Sequence, residues 1–332
     1  MITKGHTGGM PLFTRFRDMQ YYFAPLEGLT DSIYRKVHHK YFPGLDRYYT
    51  PFLSPTTHRA LTNKEKREIP PASTLDHTVI PQILTKNAGD FLWLAQQCKD
   101  LGYSEINLNI GCPSGTVTAK GKGAGMLKDT DALNTFFSEI FESTPIPISV
   151  KTRIGFTDPE EFPALLEIFN RYPIRELIVH PRVRAQFYNG SVETQVFEYA
   201  LKNSKNPLCY NGNLCSQADI SALTKKHPQI QSVMLGRGLI ADPGMLCPHQ
   251  NTAANLEAFH NELLQEYIDA FGSARNAMFR MKENWRHMLC KFEDSEKLGK
   301  QLRKTTDINE YRHITYEIFH TLPIRSEIAP DW

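Results

Sequence analysis

The sequence lacks the cysteine spacing that marks a metal or disulfide site. Its six cysteines include no Cys-x-x-Cys pair and no other paired spacing, whereas zinc sites and small disulfide-bonded domains depend on such pairs. We therefore expect no metal and no disulfide. The thiols are expected to be reduced, as they are in the cytoplasm.

Long apolar runs are also missing. No run approaches the ~20 residues that a bilayer-spanning helix requires, and residues 1–10 are too polar for the apolar region of a signal peptide. We expect a soluble cytoplasmic protein without a membrane partner, and a monomer by default. Residues 1–19, which begin with a segment rich in glycine and histidine, are interpreted as a flexible leader.

A large excess of positive charge is absent as well. The chain has 38 Lys and Arg residues against 36 Asp and Glu, which gives a formal net charge of +2 at pH 7. A dedicated nucleic-acid-binding protein is usually far more basic. A polyanionic partner would therefore have to bind at a local positive patch.

The chain does contain a regular alternation of short apolar runs with longer amphipathic ones, which is typical of strand–helix units. Eight such units in about 230 residues favour a (β/α)8 barrel. We expect an α/β protein with a TIM barrel over residues 20–245 and an all-helical C-terminal domain over residues 252–332. The candidate strands are Tyr21–Ala24, Arg47–Thr50, Val79–Leu84, Glu105–Asn109, Ile146–Lys151, Glu176–Val179, Pro207–Tyr210 and Ser232–Leu235. Candidate helices include Asp90–Leu101, Asp129–Glu142, Asp158–Tyr172 and Ser216–Lys226.

One cysteine has a special place in this pattern. The run from Ile106 to Asn109 alternates apolar and polar residues as a barrel strand does. Cys112 follows closely, and Pro113 ends the strand pairing because proline has no amide hydrogen to donate. The thiol is therefore expected at the carboxyl end of a strand, which is the catalytic face of a barrel. The plain alternative is a buried cysteine in a tight turn.

Polar residues follow other strands at matching intervals, so a barrel would bring them to one mouth. Gln82 lies in the third strand, Lys151 ends the fifth, and His180 ends the sixth. The last two strands run into Asn211-Gly212-Asn213 and Gly236-Arg237-Gly238, and barrels commonly bind phosphate at those two loops. Each residue alone is weak evidence, since a single histidine is more often a core residue. Together they suit flavin mononucleotide (FMN), because a cation beside the reduced flavin ring stabilises it.

These motifs resemble those of the tRNA-dihydrouridine synthase family. The resemblance spans roughly residues 20 to 320 and rests on Ala24 to Asp31, Asn109 to Ser114, Val150 to Gly155, Asn211 to Asn213 and Gly236 to Gly238. It implies an FMN-dependent TIM barrel with a helical domain that reduces uridines of tRNA to 5,6-dihydrouridine with NADPH. In that reaction flavin N5 gives a hydride to C6 of the uracil, and Cys112 would give a proton to C5. The implied FMN contacts are Pro25, Leu26, Glu27, Gln82, Lys151, His180, Asn211, Gly212, Asn213, Gly236 and Arg237.

Details of the motifs indicate which branch of the family the chain most resembles and where it departs from the family pattern. Glu27 and Ser114 are most similar to the bacterial branch called DusC. The chain departs from the family pattern after His180, where Pro181 replaces the usual glycine and restricts the backbone. Leu26 stands where methionine is common, which conserves side-chain volume. Neither departure removes a reacting group.

The resemblance makes tRNA the expected partner, and the target uracil must be flipped out of its stack. Contacts are expected from residues near the catalytic turn, after the sixth strand and in the helical domain. The candidates are Asn109, Lys120, Lys122, Arg182, Arg184, Tyr188, Arg275, Arg280, Lys282, Trp285, Arg286, Arg303 and Lys304. For any single helical residue the alternative is an ordinary solvated face, with Trp285 packed inward.

Two other functions are compatible with these residues. One is an FMN barrel oxidoreductase that acts on a small enone or a free pyrimidine, similar to dihydroorotate dehydrogenase. The helical domain argues against it, because a small substrate needs no such platform. The other is a non-catalytic RNA-binding barrel, against which Cys112, Lys151 and Gly236-Arg237 argue.

Overall fold

The computed structural model describes residues 19–55, 58–328 and 330. Except for residue 19, the expected leader lies outside these residues. The strands are β1 Gln20–Phe23, β2 Arg47–Tyr49, β3 Val79–Ile80, β4 Gln82–Ile83, β5 Ile106–Ile110, β6 Ile148–Gly155, β7 Leu177–Val183, β8 Leu208–Tyr210 and β9 Ser232–Leu235.

The strands form one parallel sheet that closes into a barrel. Their order is β3-β2-β1-β9-β8-β7-β6-β5-β4. β3 and β4 are two parts of the single predicted strand Val79–Leu84, divided because Pro81 has no amide hydrogen for the ladder. Leu53, just beyond β2, forms a parallel bridge with Ile83 and joins the two ends of the sheet. The predicted TIM barrel is confirmed, with its third strand interrupted at Pro81.

Helices follow most of the strands, and several begin at a residue whose side chain accepts a hydrogen bond from the first turn. Asn87 accepts from the amide of Asp90 at 2.8 Å, and Asp129 accepts from that of Ala132 at 3.0 Å. The barrel helices are α1 Ser32–Tyr41, α2 Asn63–Glu68, α3 Ala88–Asp100, α4 Gly115–Thr118, α5 Thr130–Ser143, α6 Phe162–Phe169, α7 Thr194–Asn203, α8 Gln217–Lys226 and α9 Arg237–Ala241. Short 3-10 helices cover Ala72–Thr74, Gly123–Lys128, Pro159–Glu161, Arg184–Gln186 and Leu289–Lys291. The stretch predicted as one helix over Asp158–Tyr172 is thus a 3-10 turn followed by the shorter α6.

The two-residue period of a strand decides which side chains reach the inside of the barrel. On β1, Tyr21 and Phe23 pack into the large core around the barrel, whereas Tyr22 belongs to a small separate cluster with Ile178 and Met234. That inner cluster fills the barrel below its mouth. Inward-facing side chains further along these strands therefore lie at the carboxyl ends, at the mouth of the barrel.

The chain is helical beyond the barrel. Its helices are α10 Ala253–Phe271, α11 Ala274–Met288, α12 Glu296–Lys304 and α13 Ile308–Thr321. A buried ion pair of 2.8 Å between Asp242 and Lys291 ties this region to the segment after α9. Phe259 of α10 packs edge-on against Tyr34 and Phe42. Among the described residues, no helix is both long enough and apolar enough to cross a membrane.

Candidate active site

A cavity of about 470 Å³ opens at the carboxyl ends of the strands. It brings together residues from separate parts of the chain because parallel barrel strands end on the same face. All of the predicted cofactor residues and the predicted proton donor line it, namely Pro25, Leu26, Glu27, Gln82, Cys112, Lys151, His180, Asn211, Gly212, Asn213, Gly236 and Arg237. Asn109, Arg182 and Tyr188 line it as well.

The turn that carries Cys112 is anchored by Asn109. The side-chain oxygen of Asn109 accepts from the amide of Gly111 at 3.1 Å and from that of Cys112 at 2.9 Å. A side chain at Gly123 would lie 3.0 Å from Cβ of Cys112, so glycine is needed beside the thiol. Burial raises the pKa of the Cys112 thiol. The thiol is therefore fixed in place and held in its protonated form.

A line of side-chain amides connects this turn to the floor of the cavity. Asn109 donates to the side-chain oxygen of Gln82 at 2.8 Å, and Gln82 donates to Asn107 at 2.8 Å. Asn107 in turn donates to the hydroxyl of Ser149 at 2.9 Å. Buried polar groups arranged in this way fix one another's orientation. Gln82 and the Cys112 turn are thus parts of one network.

Positive charge dominates the cavity. Lys151, Arg153, Arg182 and Arg237 line it, whereas Glu27 is the one carboxylate among the described lining residues. The carboxylate of Glu27 is paired with Lys64 at 2.6 Å. Burial, together with the neighbouring Arg153, lowers the pKa of Lys151 to about 8. These charges are suited to an anionic ligand.

His180 is held in one neutral form by Arg182. The guanidinium nitrogen Nη1 of Arg182 lies 2.9 Å from Nε2 of His180. Because a guanidinium can only donate, Nε2 must accept, which leaves the ring hydrogen on Nδ1. Burial and the surrounding cations hold the pKa of His180 well below its usual range. His180 is therefore a neutral donor at the cavity.

The loops after β8 and β9 present backbone donors to the cavity. Within the described residues, the amides of Gly212, Asn213 and Gly236 donate to no protein acceptor. Asn213 has a φ of 44°, and its side-chain oxygen accepts from Arg182 at 3.0 Å. A side chain at Gly212 would lie 3.0 Å from Val192. This end of the cavity thus offers backbone amides to an anion.

The cavity also contains residues that the sequence analysis did not assign to the site. Arg153, Cys215, Met234 and His287 are among them. Arg153 was detectable, since it lies two residues beyond Lys151 on the same face of β6. His287 could not be detected from the strand pattern, because it reaches the barrel mouth from α11. Burial and the nearby Arg237 lower the pKa of His287 to about 4, so its ring is neutral.

The other predicted RNA contacts differ in their exposure to solvent and in their hydrogen-bond partners. Lys120, Arg275, Arg286, Arg303 and Lys304 are exposed, and Lys122 is partly exposed. Arg184 donates to the carbonyl of Pro113 at 3.1 Å. Lys282 donates to the carbonyl of Thr305 at 2.5 Å, and Arg280 donates to that of Gly28.

Two of the predicted contacts are buried. Arg182 is 1% exposed, and it also donates to the carbonyl of Gly190 at 2.6 Å. It is therefore part of the cavity wall rather than of an open surface. Trp285 is also 1% exposed and donates to the hydroxyl of Tyr311 at 3.0 Å. Of the two alternatives for Trp285, the structure has the inward-packed one, because the ring lies inside the helical region.

Pro181, the departure from the family pattern, lies inside β7. The pairing of β6 with β7 shifts register between Arg153 and Gly155, opposite His180 and Val183. A proline is tolerated at such an irregularity because no ladder hydrogen bond is required from it. His180 keeps its inward direction there.

Comparison with known proteins gives consistent matches over most of the chain. Residues 22–320 match the family described as dihydrouridine synthase (Dus). A probable tRNA-dihydrouridine synthase of Rickettsia bellii is 24% identical over 266 residues, which cover 76% of this chain and 80% of that protein. A probable tRNA-dihydrouridine synthase of Staphylococcus aureus strain Mu50 is 26% identical over 311 residues, covering 89% of this chain and 91% of that protein. Among solved structures, morphinone reductase in complex with tetrahydroNAD matches with a TM-score of 0.47 and 11% identity, covering 68% of this chain and 85% of that one.

Proposed function

This chain belongs to the dihydrouridine synthase family, and on that premise we propose that it reduces uridine in tRNA to 5,6-dihydrouridine, with FMN bound in the cavity and NADPH as the reductant. The observation that carries the proposal is the half-buried thiol of Cys112 on the rim of a cation-lined cavity. The assignment to a DusC-like branch stays a prediction.

The residues of the cavity fit FMN. The free amides of Gly212, Asn213 and Gly236 are suited to its phosphate, with the Arg237 guanidinium beside them. Lys151 and the Nδ1 hydrogen of His180 are suited to the oxygen and nitrogen edge of the flavin ring. When bound, reduced FMN supplies a hydride to C6 of the uracil.

Cys112 has the properties of the proton donor for C5. An unperturbed thiol, with a pKa near ~8.5, is mostly protonated at neutral pH. Burial raises the pKa of Cys112 further, which favours the thiol over the thiolate. A nucleophilic cysteine needs the opposite shift. Asn109, which binds the amide of Cys112, keeps the thiol at a fixed position for this transfer.

The test is to incubate unmodified tRNA with the purified protein, FMN and NADPH, and to analyse the RNA by mass spectrometry. We expect a gain of about two mass units at a defined uridine, since the product has two more hydrogens. A yellow protein that oxidises NADPH but leaves the tRNA unchanged would instead favour a flavoenzyme with a small substrate. A colourless protein that binds tRNA would favour the non-catalytic barrel.

A further inference from the structure

Phe187 combines surface exposure with an unusual backbone. It directly follows the 3-10 turn Arg184–Gln186 at the end of β7 and has φ 52° and ψ −103°. Residues other than glycine rarely adopt a positive φ, and such strain concentrates at functional sites. The side chain is nevertheless 39% exposed. Packing in the core therefore does not explain a large apolar ring at this position.

The ring is held next to the catalytic turn. The guanidinium carbon of Arg184 lies 4.8 Å from the centre of the Phe187 ring. The same guanidinium donates to the carbonyl of Pro113 at 3.1 Å, and Pro113 is adjacent to Cys112. The amide of Phe187 donates to the carbonyl of Arg184 at 3.1 Å, which closes the turn. Phe187 thus stands at the rim of the cavity on a support fixed to the Cys112 turn.

The next residue faces the cavity itself. The ring of Tyr188 lies 5.4 Å from the guanidinium carbon of Arg153 and 5.1 Å from that of Arg237. Tyr188 lines the cavity, whereas Phe187 does not. One aromatic ring therefore belongs to the site, and its neighbour in sequence lies just outside.

We propose that Phe187 is a positioning residue for the RNA, whose ring stacks on a base beside the target uridine after that uridine enters the cavity. This inference rests on the proposed function, because only a uridine taken from a stack leaves a neighbouring base exposed. Unstacking a base costs free energy. A flat ring at the rim offsets part of that cost, since any base can stack on an aromatic side chain.

The test compares two substitutions of Phe187. Phe187→Gly removes the ring and eases the strained backbone, because glycine adopts positive φ readily, so the variant should fold. Phe187→Tyr keeps a stacking ring. We expect kcat/KM for tRNA to fall about 10- to 100-fold in Phe187→Gly, the effect of losing one stacked base. We expect Phe187→Tyr to stay near the wild type. Reduction of bound flavin by NADPH should be unchanged in both variants.

Tyr199→Ala is the matched control. Tyr199 lies on α7 and is also 39% exposed, but it does not line the cavity. Its loss should leave kcat/KM for tRNA unchanged. A wild-type protein that forms no dihydrouridine overturns the proposed function and this inference together. An active wild type with an equally active Phe187→Gly variant overturns the inference alone. So does a Phe187→Gly variant that also loses flavin reduction, because the ring would then support the loop rather than the RNA.

Discussion

Arg280, on α11, donates a hydrogen bond to the carbonyl oxygen of Gly28 in the loop that follows β1. The Arg280 guanidinium also lies 4.0 Å from the carboxylate of Asp31, and Tyr267 of α10 donates to the same carboxylate at 2.9 Å. Gly28 has a φ of 80°, so this loop needs a conformation that few residues other than glycine favour. The helical region thus holds the loop that contains residues 25–27, which line the cavity. Arg280, which the sequence offers as a candidate RNA contact, therefore supports this loop.

We therefore predict that Arg280→Met weakens FMN binding. Methionine fills much of the same space but donates no hydrogen bond to Gly28, so the loop is less well held. A hydrogen bond from a charged group contributes about 1.5–3 kcal/mol, and we expect the Kd for FMN to rise about tenfold. Fluorescence titration of the flavin-free protein measures this. Arg275→Met, an exposed position on the same helix, should have no effect. An unchanged Kd in Arg280→Met would show that the contact does not shape the site.

The contact from Asn109 to the Cys112 turn predicts a non-additive pair of substitutions. Asn109→Ala removes the acceptor for two amides of that turn, so it should slow uridine reduction about 10- to 100-fold through misplacement of the thiol. If Asn109 acts only through Cys112, the double variant Asn109→Ala/Cys112→Ala should be no slower than Cys112→Ala. Single-turnover rates with flavin reduced beforehand measure this. Additive losses would show instead that Asn109 acts independently of Cys112, either on the RNA or through its hydrogen bond to Gln82.

The role of Cys112 predicts a specific rate loss and pH profile. Cys112→Ala should slow uridine reduction at least ~100-fold, the usual loss for a general acid, while NADPH still reduces the flavin. Because burial raises the pKa of this thiol, its protonated form persists above the usual value near ~8.5. The part of the wild-type rate that depends on Cys112 should therefore decrease only above about pH 8.5.

Cys112→Ser separates this titration from others at the site. A serine hydroxyl does not titrate in this range, so any alkaline loss that remains in Cys112→Ser belongs to another group, such as Lys151. If the part of the rate that depends on Cys112 were instead lost near neutral pH, the pKa of the thiol would be lowered, as it is in an activated nucleophile. Unchanged turnover in Cys112→Ala would remove it from the mechanism.

The parts of the site that the sequence predicted are those set by a local pattern. Lys151 and His180 follow apolar runs in β6 and β7, and the two-residue period of a strand turns both toward the barrel interior. The carboxyl ends of parallel strands share one face, so the convergence of these residues required no knowledge of long-range contacts. The apolar run Val79–Leu84 predicts one strand, whereas Pro81 divides it into β3 and β4 because proline has no amide hydrogen for the ladder.

The parts that were missed depend on distant contacts. Arg280 and Gly28 are 252 residues apart in sequence, and no periodicity relates them. Trp285 shows a different limit, because a helical period fits a solvated face and a packed face equally well until the neighbouring helices are known. Arg182 illustrates a third, since its charge gave no sign that the side chain is 1% exposed and bound to His180.

The lowered pKa of Lys151 predicts that its positive charge destabilises the flavin-free protein, although the same charge favours binding of an anionic ligand. Burial and the adjacent Arg153 lower its pKa from 10.5 to about 8, so between these values the unfolded chain binds a proton that the folded, flavin-free protein has released. The contribution of Lys151 to stability therefore increases as the pH rises from about 8 to 10.5. Below this window its buried charge opposes folding. Lys151→Met, which carries no charge, should accordingly be more stable than the wild type at neutral pH.

Chemical denaturation of both flavin-free proteins across this pH range tests the prediction, because subtracting the two curves cancels the tyrosines and other groups that titrate in both. The advantage of Lys151→Met should be largest below pH 8 and should shrink toward pH 10.5. The same substitution should weaken FMN binding, since the cation is lost from an anion site. A pH-independent difference in stability would show that the Lys151 ammonium is well solvated in the flavin-free protein and does not oppose folding.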